Sequence, residues 1–162
     1  MKMNLSNLML TMLLALVMPV MTHAQAGKAN FAGSWALNES KSKMPEGGGG
    51  RMMGREFTLA QEANLLTRTS TGQDGTQRVS KFTLDGKESV NTTPRGSSKS
   101  VATWSADGKS LTIKTTMEFD GNSFTTTSVY SMPDAKTLSV ESTFPGRDGG
   151  VETKMTMVYD KK

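Results

Sequence analysis

The stretch Phe31-Ala32-Gly33-Ser34-Trp35-Ala36-Leu37-Asn38 decides how the rest of the chain is read. Phe31, Gly33, Trp35 and Leu37 alternate with small or polar residues, and this period of two places them on one face of a β-strand. The spacing predicts a first strand over 31–38, with Gly33 leaving room for Trp35 and Trp35 anchoring a core.

Outward from this stretch the alternation recurs. Segments 55–62, 65–71, 77–84, 87–91, 98–105, 110–119, 123–132, 137–144 and 151–160 are rich in threonine and β-branched residues and carry no helical periodicity. Asp-Gly pairs at 74–75, 85–86, 107–108, 120–121 and 148–149 stand between or beside them, and predict tight type I′ hairpins. Connections this short exclude crossovers. The fold expected is all-β, an up-and-down antiparallel barrel of about 8–10 strands, closed so that no edge is free.

Residues 1–24 read as a signal peptide. Lys2 supplies the positive start, Leu8 to Met21 form an apolar run, and Thr22-His23-Ala24 offers the small-x-small pattern before cleavage. Pro19 argues against a spanning helix, and no cysteine follows to carry a lipid. Residues 25–162 then form a single domain, exported to the periplasm or beyond, with 18 basic and 15 acidic side chains spread along it. No cluster of Lys and Arg interleaved with aromatics marks a nucleic-acid partner.

Cysteine is absent, and the one histidine, His23, leaves with the signal. Zinc sites built on these residues, and Ser-His or Cys-His nucleophiles, are thereby excluded from the mature chain. The turn aspartates lack the dense spacing of a calcium loop, and no two glutamates are placed as a catalytic pair. The expectation is a protein that is not an enzyme, with no metal and no cofactor. Residues 39–54, containing Gly47-Gly48-Gly49-Gly50 and Met52-Met53, read as a flexible loop, a candidate flap over one end of the barrel.

The turns also assign faces. A turn at Gly121-Asn122 opposes Phe119 to Phe124 and puts Leu111, Ile113, Met117, Phe124, Tyr130 and Met132 inside, while an Asp107-Gly108 turn adds Trp104. Val151, Met155, Met157 and Tyr159 share the inner face of the last strand. A turn at Ala63-Asn64 opposes Leu59 to Arg68, bringing Arg68 inward beside Phe57, and Arg78 shares a face with Phe82 and Leu84. A buried arginine calls for an anion, either a ligand or an internal acid; a register slipped by one residue would instead expose it.

Gly33-Ser34-Trp35 resembles the Gly-x-Trp signature of the lipocalin and fatty-acid-binding (calycin) superfamily, and Thr156-Met157-Val158-Tyr159-Asp160-Lys161 is similar to the last strand of fatty-acid-binding proteins. With Lys41-Ser42-Lys43 and Leu84-Asp85-Gly86-Lys87-Glu88, the chain also resembles a group of small secreted bacterial lipocalin-like proteins of unassigned function. The resemblance implies a barrel with an interior ligand. It also implies that Met157 stands where that family carries its carboxylate-binding arginine, so the carboxylate clamp is not carried over.

The function expected is a secreted or periplasmic barrel holding a small apolar or amphipathic molecule, with Arg68, Arg78, Trp104, Met117, Phe124, Tyr130, Met157 and Tyr159 as ligand-facing residues. The alternative is a protein-binding barrel with a packed interior, a periplasmic inhibitor or envelope accessory factor. A membrane barrel is disfavoured by Lys114, Glu118, Glu141, Glu152 and Lys154 on the outward faces. N-terminal sequencing of the exported protein is expected to begin at Gln25; an intact Met1 in that fraction contradicts the signal-peptide reading.

Overall fold

The structure is a computed structural model. It describes residues 27–44, 54–72, 74–93, 96–119, 122–146 and 150–162. Ten antiparallel strands form one sheet: β1 (Gly33–Leu37), β2 (Glu56–Glu62), β3 (Leu65–Thr71), β4 (Gln77–Thr83), β5 (Glu88–Thr93), β6 (Gly96–Trp104), β7 (Ser110–Phe119), β8 (Asn122–Asp134), β9 (Thr137–Phe144) and β10 (Thr153–Lys161). Their order is β4-β3-β2-β1-β10-β9-β8-β7-β6-β5, so each strand lies beside its sequence neighbour and β1 joins the two arms by pairing with β10.

The expected registers hold at two turns. Leu59 stands opposite Arg68 and Trp104 opposite Leu111. Inward positions can therefore be followed strand to strand, and they separate by chemistry. The row Trp104, Leu111, Tyr130, Val140, Met157 is apolar or aromatic throughout. The row Ser89, Ser100, Thr115, Thr126 carries only hydroxyls.

The apolar rows belong to the barrel end that holds the turns at 63–64, 105–109 and 135–136, and this end is sealed from outside the strands. Phe31, fully buried ahead of β1, stacks on Trp104 with ring centroids 5.7 Å apart and meets Tyr130 edge-on at 6.1 Å. Gln61 fixes this segment with both ends of its amide, accepting from the Phe31 N–H at 2.9 Å and donating to the Ala29 carbonyl at 2.9 Å. The Trp35 indole N–H donates to the Phe31 carbonyl at 3.0 Å, so the largest core side chain buries no unsatisfied donor.

At the opposite end, Asn38 accepts from the Lys41 N–H at 3.1 Å and donates to Asp160 at 2.6 Å, anchoring a 3₁₀ turn over Glu39–Lys41. Lys43 then exchanges backbone hydrogen bonds with Thr156, continuing the line of β1. The loop expected from Glu39 is thus ordered through Met44; its glycine run and Met52-Met53 lie outside the described residues.

Several further expectations need correction. The barrel is nearly closed rather than free of edges, because β4 and β5 end the sheet. Side chains bridge them: Asn91 accepts from the Lys81 N–H at 2.7 Å and donates to the Lys81 carbonyl at 3.0 Å, while Ser89 accepts from the Thr83 N–H at 2.8 Å. The Asn91 amide thereby substitutes for a peptide group of the missing ladder, which satisfies edge groups that otherwise invite pairing with another chain.

At the 107–108 turn, Gly108 occupies the fourth position, its N–H donating to the Ser105 carbonyl at 2.9 Å, and it has φ of 69°. Gly75 does likewise to Gly72. These are longer loops in which Asp74, Asp85 and Asp107 accept from the N–H two residues on, not two-residue I′ turns; the pairs at 120–121 and 148–149 lie outside the described residues.

Phe119 pairs with Asn122 and Met117 with Phe124, a register two residues from that expected, which leaves the faces unchanged. Val151 precedes β10 and is 92% exposed, since strand periodicity has no meaning outside the ladder. The space at Gly33 serves Lys161 more than Trp35: a Cβ there would stand 2.8 Å from Lys161 Cε, and the Lys161 ammonium lies 5.6 Å from the Trp35 ring centroid.

Trp35→Ala removes the residue on which the sealed end is built, and is expected to destabilise the fold by ~3–5 kcal/mol in urea denaturation. An unchanged midpoint contradicts its anchoring role.

Candidate ligand-binding site

Exposure along the inward positions changes from one end of the barrel to the other. At the sealed end Trp35, Leu66, Leu111 and Leu138 are fully buried, and further along β10 Met157 and Tyr159 are buried as well. Toward the end bearing residues 38–44, 54–55 and 74–76, inward-facing Ser70, Ser80, Ser98, Thr115, Met117 and Ser128 are only half-buried, and Phe124 is 37% exposed. Exposure of the inward positions therefore rises toward this end, which is the candidate cup above the buried floor.

Hydroxyls wall the cup. Ser100 and Thr115 are paired at 2.9 Å, and Ser128 and Ser142 at 3.0 Å, each pair joining adjacent strands. Ser100 and Ser142 are almost completely buried, and their pairing meets the requirement that buried polar atoms find partners.

Arg68 lies inside, in the inward row Gly33, Leu59, Arg68, Ser80. Its guanidinium carbon stands 4.4 Å from the centroid of the Phe57 ring, and Phe57 in turn meets Tyr159 edge-on at 4.8 Å. The Tyr159 hydroxyl donates to the Gly54 carbonyl at 3.4 Å and approaches the Met157 sulfur at 3.5 Å. Gly54 has φ of 79°, and a Cβ there would lie 3.4 Å from Arg68 Nη2, so glycine leaves space beside that nitrogen.

Burial pushes Tyr159 up to about 12, partly countered by the Arg68 charge, and burial raises Tyr130 against the same charge. One cation thus acts on both tyrosines.

Of the candidate ligand residues, the structure brings Arg68, Tyr130, Met157 and Tyr159 to the interior, with Met117 and Phe124 at the cup's open end. Trp104 belongs to the floor: it stacks on Phe31, the Lys28 ammonium lies 5.3 Å from its ring centroid, and its indole N–H makes no hydrogen bond among the described residues.

Arg78 has the inward parity expected but not an interior place. Its side chain is 61% exposed and pairs with Asp74 at 3.7 Å, because the period of two fixes a residue's face and not its distance along the barrel. The sequence reading missed the hydroxyl row and the Asn91 bridge. Extending the parity from Trp104 through Ala102 and Ser100 would have found the hydroxyls, whereas the β4–β5 seam is a long-range contact with no local signal.

Outside the barrel, a shallow groove of about 270 Å³ runs over β1 to β3, between hydroxyls of Ser34, Thr58, Thr69 and Thr71 and the Lys162–Glu56 ion pair. Among the described residues no three potential metal-ligating side chains cluster, and no helix is long and apolar enough to cross a membrane.

This architecture is that of the calycin barrels, the fold of the fatty-acid- and bile-acid-binding proteins. A zebrafish ileal bile acid-binding protein crystallised with cholic acid superposes with a TM-score of 0.56 at 19% identity, over 82% of this chain and 98% of that one. A secretory abundant heat soluble protein from Ramazzottius varieornatus gives 0.55 at 11% identity, over 82% and 95%. A point mutant of the fluorescent protein UnaG gives 0.53 at 19% identity, over 82% and 96%. No family model and no curated protein matches the sequence.

Both tyrosines of the chain are shifted upward, so a folded sample is expected to show less phenolate absorbance at pH 10 than the unfolded chain, which is about half ionised there. A group with a raised folded pKa stabilises the fold fully below its unfolded value, and loses that contribution as pH rises through the folded one. Stability is therefore expected to fall from about pH 10 toward 12. A tyrosine titrating at its ordinary value in the folded protein contradicts this burial.

Proposed function

We propose that the protein is an exported carrier which holds one small amphipathic molecule in the open half of its barrel. The observation that carries the reading is the change along the inward face, from the fully buried Leu66, Leu111 and Leu138 to the half-buried Ser98, Thr115, Met117 and Ser128. A concave site with apolar surface at Met117 and Phe124, and a few fixed polar groups at Arg68 and the hydroxyl row, has the make-up of a small-molecule pocket. The bile acid-binding neighbour, carrying cholic acid within the same fold, lends further support. Export rests on the signal-like residues 1–24. The ligand enters at the end bearing residues 38–44.

The test is uptake of the neutral dye Nile red by the purified mature chain, with displacement by methyl dodecanoate. Saturable binding with a blue-shifted emission is expected, and Met117→Trp, which fills the cup, is expected to weaken it at least tenfold, about 1.4 kcal/mol. If neither dye nor ester binds, the carrier reading fails and a protein-binding barrel with a packed interior takes its place.

A further inference from the structure

Exposed apolar side chains are not spread evenly over the barrel. Five large ones are exposed among the described residues, and Val79, Val90 and Val101 stand on the consecutive strands β4, β5 and β6. Phe124 belongs to the cup and Val151 precedes β10. The three valines face outward beside the seam where the sheet ends, with 46%, 60% and 37% of their surface exposed. Apolar surface gathered on one outer wall marks a place of contact with another molecule.

Side chains close the seam over only part of its length. Ser89 accepts from the Thr83 N–H, and Asn91 takes up both peptide groups of Lys81, all close to the turn at 84–87. Two residues further along β4, the alternation of the strand turns the Val79 N–H and C=O to the same side. Among the described residues nothing bridges them as Asn91 bridges Lys81. A free length of edge beside exposed valines is what an extended chain needs to add as a strand, its backbone pairing with the edge and its alternate side chains resting on the wall.

The charges around the patch select which chain. Lys99 stands opposite Val90, Lys114 stands opposite Val101, and Lys81 lies two residues from Val79 on β4. All three lysines are exposed, and none forms an ion pair among the described residues. Against them stands Glu88, opposite Val101 on β5, while Lys87 is engaged by Asp85 at 3.2 Å. This excess of positive charge repels a second copy of the chain laid edge to edge, and it attracts carboxylates. No aromatic side chain occupies an outward position of β4, β5 or β6 among the described residues, so the wall lacks the stacking platform of a site for single-stranded nucleic acid.

We propose that the β4–β5 seam, with Val79, Val90 and Val101, docks an extended acidic segment of another protein by strand addition to β4. The surface lies on the outer wall, so the assignment is independent of what the interior holds.

The probe is a fluorescein-labelled synthetic heptapeptide of alternating glutamate and valine, titrated with the purified mature chain and followed by anisotropy. Its lysine–valine counterpart, and a version N-methylated at alternate residues, serve as controls. Saturable binding of the acidic peptide is expected, about tenfold or more tighter than either control and weakened by added salt. Lys99→Glu and Val90→Ser are each expected to weaken it severalfold, whereas Lys154→Glu on β10 leaves it unchanged. These positions are exposed, and amide NMR spectra of the free variants confirm that the fold is kept. Equal binding of the acidic and lysine peptides overturns the charge selection, and undiminished binding of the N-methylated peptide overturns strand addition. Absence of binding, or binding that neither Lys99→Glu nor Val90→Ser weakens, overturns the site itself. Sedimentation as a dimer that Val90→Ser disperses assigns the patch to a second copy instead, and binding to phosphatidylglycerol vesicles but not to the peptide assigns it to an anionic membrane; each of these overturns the proposal.

Discussion

The hydrogen bond from the Trp35 indole to the Phe31 carbonyl ties the first strand to the segment ahead of it, and the barrel's division into two halves depends on this tie. Phe31 reaches Trp104 on β6 and Tyr130 on β8 only because that segment is held across the barrel end by Trp35 and by Gln61. The aromatic contacts tie together strands far apart in the sheet order. Without cysteine, such packing does in this chain what disulfides do in many small exported domains.

Sealing one end leaves the opposite end as the candidate binding half. The floor rows contain no hydroxyl beyond those of the two tyrosines, whereas the rows above them turn to serine and threonine that pair across strands. Arg68 stands between Leu59 and Ser80, where the two kinds of row meet. Lower in the barrel its charge would be fully desolvated among leucines, and higher it would be screened by water, as Arg78 is. At the boundary it is supported by Phe57 and raises the cost of any second cation. The seam between β4 and β5 completes the wall, with Asn91 acting as a strand's peptide group within a single side chain.

Much of this was legible in the sequence, for physical reasons that can be named. Alternation in the chain located ten strands because each is half-buried, and the short turn at Ala63-Asn64 fixed the β2–β3 register closely enough to bring Arg68 inside. Met155, Met157 and Tyr159 sorted inward by the same parity. What escaped was whatever depends on position along the barrel or on contacts between remote segments. Parity placed Arg78 and Val151 on the inner face and gave no sign that one lies at the rim and the other ahead of its strand. Asn91 reads as an ordinary polar strand residue until β4 is set beside it, and the Asp-Gly pairs indicate a turn without fixing where in the turn the glycine falls.

The central claim is that the interior consists of a dry floor and an open cup, with a ligand confined to the cup. Intermolecular NOEs between methyl-labelled protein and bound methyl dodecanoate test it directly, because the two halves carry different methyl groups. The account predicts contacts to Met117 and Thr115, and none to Leu66, Leu111 or Leu138. Ligand contacts to those buried leucines, or only to outward residues such as Val79 and Val90, would contradict it.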